Sequence, residues 1–114
     1  MTDRTHILDR DPRRAVEEMI KITQELESRI EIETGAAASN DGTTFITNEQ
    51  NKEYLANMYE QAAAEFRARL EEFRSVDRAL LDKLQTAQDS LGQSASNNLA
   101  LLAKMQDETD PKKG

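Results

Sequence analysis

The chain has 114 residues and a formal net charge of −7, from 15 Lys+Arg against 22 Asp+Glu, a length that suits one domain rather than a two-domain enzyme. Without cysteine there are no disulfides, thiolate metal sites or thiol nucleophile, and the acidic balance argues against nucleic acid as a partner. Leu, Ile, Val and Phe account for only 22 residues, near the disordered class, whereas Ala, Glu, Lys, Leu and Arg account for 53 and point to long helices.

Periodicity decides between the two. Residues 1–11 show no repeat and read as a flexible tail. Asp11-Pro12 offers a capping carboxylate followed by proline at the first helical position. Val16, Met19, Thr23, Leu26 and Ile30 then form a helical stripe, widened by Ile20, Ile22 and Ile32, so a first helix is expected over 12–38. Ser39–Thr44 is a cluster of turn residues with Asp41-Gly42 at its expected tip. Thr47–Gln50 matches a capping box, with Ile46 placed as a hydrophobic staple, and predicts a second helix over 48–74. Its Tyr54, Leu55, Met58, Tyr59, Ala62, Phe66, Leu70 and Phe73 make it the aromatic element of the expected core.

A break is expected at Ser75-Val76-Asp77, and a third helix over 77–108. One of its heptad rows reads Leu84, Leu91, Asn98, Met105 and the other Leu81, Gln88, Ala95, Leu102. Polar Gln88 and Asn98 make this a weak seam. Asp110-Pro111 ends the pattern and leaves 109–114 as a tail. The expectation is an all-α protein, an elongated antiparallel helical bundle or coiled-coil hairpin of three long helices.

Little here suggests side-chain chemistry. His6 is the only histidine and lies in the expected tail. Glu17-Glu18 and Glu71-Glu72 are paired carboxylates, but adjacent residues on a helix do not face one another. No Glu-x-x-His pattern, phosphate loop, G-x-S-x-G or dinucleotide fingerprint occurs. Arg67, Arg69, Arg74 and Arg78 form a basic zone, interleaved with Glu65, Glu71 and Glu72 as helix pairs. No apolar run approaches a membrane span and the N-terminus lacks the apolar core of a signal peptide. The expectation is a cytoplasmic protein that is not an enzyme, uses no cofactor or metal, and works through apolar helix faces.

The segment from Asn48 to Ala62, containing Lys52, Leu55, Tyr59 and Glu60, resembles the "E-K-x-x-L-x-x-x-Y-E" segment of FlgN-like flagellar export chaperones. Leu80–Leu84 through Ser96–Leu102 resembles that family's last helix, and Leu26–Glu33 occupies the place of its first-helix "L-x-x-E" pattern. The family's "L-x-x-G-D" is replaced here by Ala36-Ala-Ala-Ser-Asn-Asp41-Gly42, and the C-terminus carries no aromatic residue. The resemblance implies a chaperone that keeps hook–filament junction subunits soluble and delivers them to the type III export apparatus. A self-associating structural coiled coil is the alternative, and a weak homodimer is compatible with either.

The client surface is expected on the third helix, at Leu84, Leu91, Ala95, Asn98, Leu99, Leu102 and Met105. Polar interruptions at Gln88 and Asn98 suggest a stripe not wholly used for self-packing, and Gly92, Ser94, Ala95 and Ser96 leave room for another backbone. Adaptable Met58 and Met105 suit a groove that repacks, although core filling is the favoured role for each, and the alternative for the leucines of this stripe is that they complete the chain's own three-helix core.

Overall fold

The computed structural model describes residues 6–109, of which 88% are helical, with no strand among them. The outer parts of both expected tails, 1–5 and 110–114, lie outside the described residues. Helix α1 spans Pro12–Ala38, α2 Gly42–Ala68 and α3 Arg78–Thr109, with a 3-10 segment Leu70–Ser75 between the last two. The molecule measures 57 × 33 × 21 Å with a radius of gyration of 17.2 Å, against roughly 13 Å for a compact domain of this length. The expected elongated all-α bundle of three long helices is what forms.

The first helix starts where its sequence says. The Asp11 carboxylate accepts the Arg14 N–H at 3.0 Å, and Pro12, which has no N–H to satisfy, opens the first turn. Its end differs from the sequence reading. Asn40, not Gly42, takes the left-handed conformation, with φ 57°. The Asn40 N–H donates to the Ala37 carbonyl at 3.2 Å and the Asp41 N–H to the Ala36 carbonyl at 2.8 Å, the paired bonds of a Schellman stop. Asp41 then caps the next helix, its carboxylate accepting the Thr44 N–H at 3.1 Å and the Thr44 hydroxyl at 2.6 Å.

The connection is therefore three residues long, and α2 starts six residues before the expected position. Thr47–Gln50 lies inside this helix, not at its cap, and the expected staple Ile46 is 73% exposed. Leu70 and Phe73 belong to the 3-10 segment, since α2 stops at Ala68. The Phe73 ring turns back to stack on Phe66, centroids 4.2 Å apart, and the Arg69 guanidinium lies 5.3 Å over it.

α1 is the central element. It packs along both α2 and α3, while those two barely touch each other. The sequence explains this, because residues two apart on a helix point about 160° from each other and both Ile20 and Ile22 are buried on α1, with Ala15, Val16, Met19 and Thr23 between them. So wide an arc takes two neighbours side by side.

The core is graded along the bundle. At the α1 N-terminal end, Leu8, Val16, Met19, Ile20, Phe73, Val76 and Leu84 form an apolar cluster. Towards the other end the interfaces turn polar, and every polar group meets a partner. Thr23 accepts from Gln88 at 3.2 Å, Ser94 reaches Glu27 and Glu31 at 3.0 Å, and Asn98 donates to Thr34 at 2.9 Å. On the α2 side Asn48 donates to the Arg29 carbonyl at 2.9 Å, and Lys52 sits 3.0 Å from both oxygens of Glu33, which is 2% exposed.

Two further expectations are corrected. Residues 7–9, part of the 1–11 stretch read as flexible tail, are packed: Leu8 is 5% exposed and the Ile7 and Leu8 N–H groups donate to the Glu65 carboxylate. Tyr54, read as core, is 65% exposed, because it lies on the outer edge of α2 beside Ile32 and Arg29 of α1.

Candidate protein-binding groove

α2 and α3 flank α1 and meet each other at few points, leaving over α1 a groove that opens towards each end and is crossed by the Tyr59–Gln88 hydrogen bond. At one end Met19 is the floor, Tyr59, Ala63 and Phe66 form the α2 wall with Leu70 of the 3-10 segment beyond them, and Leu81, Leu84 and Gln88 form the α3 wall, around about 440 Å³. At the other end Ala36 and Ala37 lie below, with Phe45 on α2 and Leu102 and Met105 on α3.

The two heptad rows of α3 meet different fates. Leu84, Leu91 and Asn98 are buried in the α1 interface, and Met105 is half-buried at its end. Leu81, Gln88, Ala95 and Leu102 are all half-buried, and the structure puts Leu81, Gln88 and Leu102 on the groove wall. Ala95 belongs there by its place one heptad from its neighbours in that row.

A polar bridge spans the groove at mid-length. The Tyr59 hydroxyl donates to Gln88 Oε1 at 2.6 Å, Gln88 Nε2 donates to the Thr23 hydroxyl, and Thr23 donates to the Met19 carbonyl at 2.7 Å. Further out, Leu99 is 68% exposed. It falls two heptads after Gln85, which lines the groove, so it stands on the α3 rim.

Of the seven residues expected to form the client surface, Leu91 and Asn98 are therefore taken up by α1, and Leu84, 7% exposed, meets the groove only at its base. Ala95, Leu99, Leu102 and Met105 remain on or beside the groove. The reason for the correction is specific. The polar interruptions of α3 are not vacancies, since Gln88, Ser94 and Asn98 are matched by Thr23, Glu27, Glu31 and Thr34 of α1. The α2 wall was missed because nothing in the periodicity of three helices says which pair stays apart.

Among the described residues no group of three or more His, Cys, Asp and Glu side chains is placed to hold a metal ion. No helix among them is long and apolar enough to cross a membrane. The Glu71-Glu72 pair lies on the exposed 3-10 segment, where Glu72 engages Arg69 at 3.1 Å. No family model, curated protein or solved structure matches this chain.

Proposed function

We propose that the chain is a protein-binding helical module that receives an amphipathic helix of a client in the groove between α2 and α3. In its finer form it is a cytoplasmic flagellar export chaperone of the FlgN-like kind. Its clients are hook–filament junction subunits, which it holds and hands to the type III export apparatus. The observation that carries the reading is the opening of about 440 Å³ between Leu81 of α3 and Ala63 and Phe66 of α2, with a second opening between Leu102 and Met105 of α3 and Phe45 of α2 towards the other end. Helix-in-groove recognition uses apolar anchors one and two turns apart, and Ala95 and Leu102 stand two turns apart on α3. The finer assignment rests on the resemblance of residues 48–62 and 80–102 to the family.

The test is titration of the purified chain with the hook–filament junction subunit of the same organism, followed by calorimetry. Leu102→Asp places a charge in an apolar contact, and Ala63→Trp fills the groove. Both should weaken binding at least tenfold while helicity and melting temperature change little, and Lys21→Asp on the outer face of α1 should leave binding intact. Binding that ignores both groove substitutions would exclude the site. A concentration-independent oligomer of the chain alone would instead place a second copy in the groove and favour the structural coiled-coil alternative.

A further inference from the structure

The packed segment 7–10 is held in a way that differs from the rest of the molecule. It is not helical, and its main chain is gripped by charged side chains of α1, of α2 and of Arg69 just beyond α2. The Ile7 N–H donates to Glu65 Oε2 at 2.8 Å and the Leu8 N–H to Oε1 of the same carboxylate at 2.9 Å. The Asp9 N–H donates to Glu18 at 2.6 Å. Arg69, one turn beyond Glu65, donates to the Asp9 carbonyl at 2.8 Å and the Arg10 carbonyl at 2.9 Å.

Donors at the start of the segment thus meet carboxylates, and acceptors at its end meet a guanidinium. Such a clip fixes the direction of an extended peptide without reading its side chains. Side chains are read where Leu8 joins the apolar cluster with Val16, Ala62 and Phe73, and more shallowly where half-buried Ile7 packs against that cluster. The outer side stays open, since a cavity lined by His6, Leu8, Arg10, Arg69 and Glu72 borders the segment.

We propose that Glu65, Arg69 and Glu18, with the socket of Leu8, form a peptide-binding site whose tethered and displaceable occupant is residues 7–10. The ligand it accepts in trans is an extended segment of a partner protein with an aliphatic residue at the Leu8 position. Proline is excluded at the positions of Ile7, Leu8 and Asp9, because each of those N–H groups is used. This site lies outside the groove and does not depend on the groove's function.

A tethered segment competes at an effective concentration in the millimolar range, so a free peptide binds the unsubstituted chain only weakly. The full-length Leu8→Ala chain, whose own segment has lost its anchor, should bind a fluorescein-labelled synthetic peptide of residues 6–12 at least tenfold more tightly than the unsubstituted chain. Adding Glu65→Ala should abolish that gain, and a peptide with proline in place of Leu8 should not bind. Equal affinity for both chains, or binding indifferent to Glu65→Ala, overturns the proposal. A second measurement needs no substitution. In the native chain the Ile7 and Leu8 amides should exchange with solvent at least a hundredfold faster than those of Val16 and Met19, reporting local release. Exchange of all four at the rate of global unfolding would make the segment an integral part of the core, and the proposal would fail.

Discussion

Removing the ammonium of Lys52 isolates the most deeply buried charge described in the protein. Both Glu33 oxygens lie 3.0 Å from Lys52 Nζ and the Glu33 side chain is 3% exposed, so Lys52→Met strands a carboxylate away from water. Breaking a buried pair in this way costs about 3–5 kcal/mol. The Lys52 side chain retains 23% exposure and leans also towards Glu49 at 3.8 Å, which places the expected loss near the lower bound, about 3 kcal/mol. Against a total of roughly 5–15 kcal/mol for a domain, that lowers the melting temperature by roughly 12–18 °C at this chain length. Urea unfolding followed by circular dichroism reads the loss directly. The double variant Glu33→Met/Lys52→Met should recover most of it, because two apolar side chains replace the pair without stranding a charge. A loss below about 1 kcal/mol for Lys52→Met would refute the reasoning, since the pair would then be behaving as a surface salt bridge.

Phe73→Ala should cost about 3–5 kcal/mol, the range for a buried ring, and clearly more than Phe66→Ala, because Phe73 is 3% exposed whereas Phe66 opens onto the groove; comparable losses in thermal melts would show that the groove is closed there. Asn40→Val should destabilise by about 1 kcal/mol because a β-branched residue resists the left-handed conformation, while Asn40→Gly should be near neutral in the same melts. The Thr44 hydroxyl and N–H hold the Asp41 carboxyl below its ordinary value of 3.8. A lowered folded value means the cap's contribution is complete at neutral pH and is lost as the pH falls below about 4 through that value. The protection factor of the Thr44 amide, its exchange relative to the intrinsic rate at each pH, should therefore fall in acid, and an unchanged protection factor would remove Asp41 as the cap.

The helices were legible in the sequence wherever a strong local signal fixed them. Asp11-Pro12 placed the start of α1, and the stripe from Val16 to Ile30 gave its length. The α1–α2 turn was misread because Asp41-Gly42 looks like a turn tip, yet Asn40 can supply the positive φ and leaves Gly42 free to be helical. Two overlapping cap signals, Asp41 and Thr47, then competed, and the earlier one won because a Schellman stop delivers Asp41 directly to it. The sequence also exposed both rows of α3. It could not say that α1 would claim the row of Leu84, Leu91 and Asn98 and leave Leu81, Gln88, Ala95 and Leu102 half-open, because that choice depends on α1 burying so wide an arc. The packed N-terminal segment carries no periodic signal at all, since what holds it is main-chain hydrogen bonding to Glu65, Glu18 and Arg69.

The groove as a client site is tested most directly by mapping amide shifts of the isotopically labelled chain on addition of the purified hook–filament junction subunit. Perturbations should concentrate on Tyr59, Ala63 and Phe66 of α2 and on Leu81, Gln88, Ala95 and Leu102 of α3, leaving Lys21 and Gln24 on the exposed face of α1 unchanged. Shifts gathered on the exposed face of α1, or none at saturating subunit, would contradict the account.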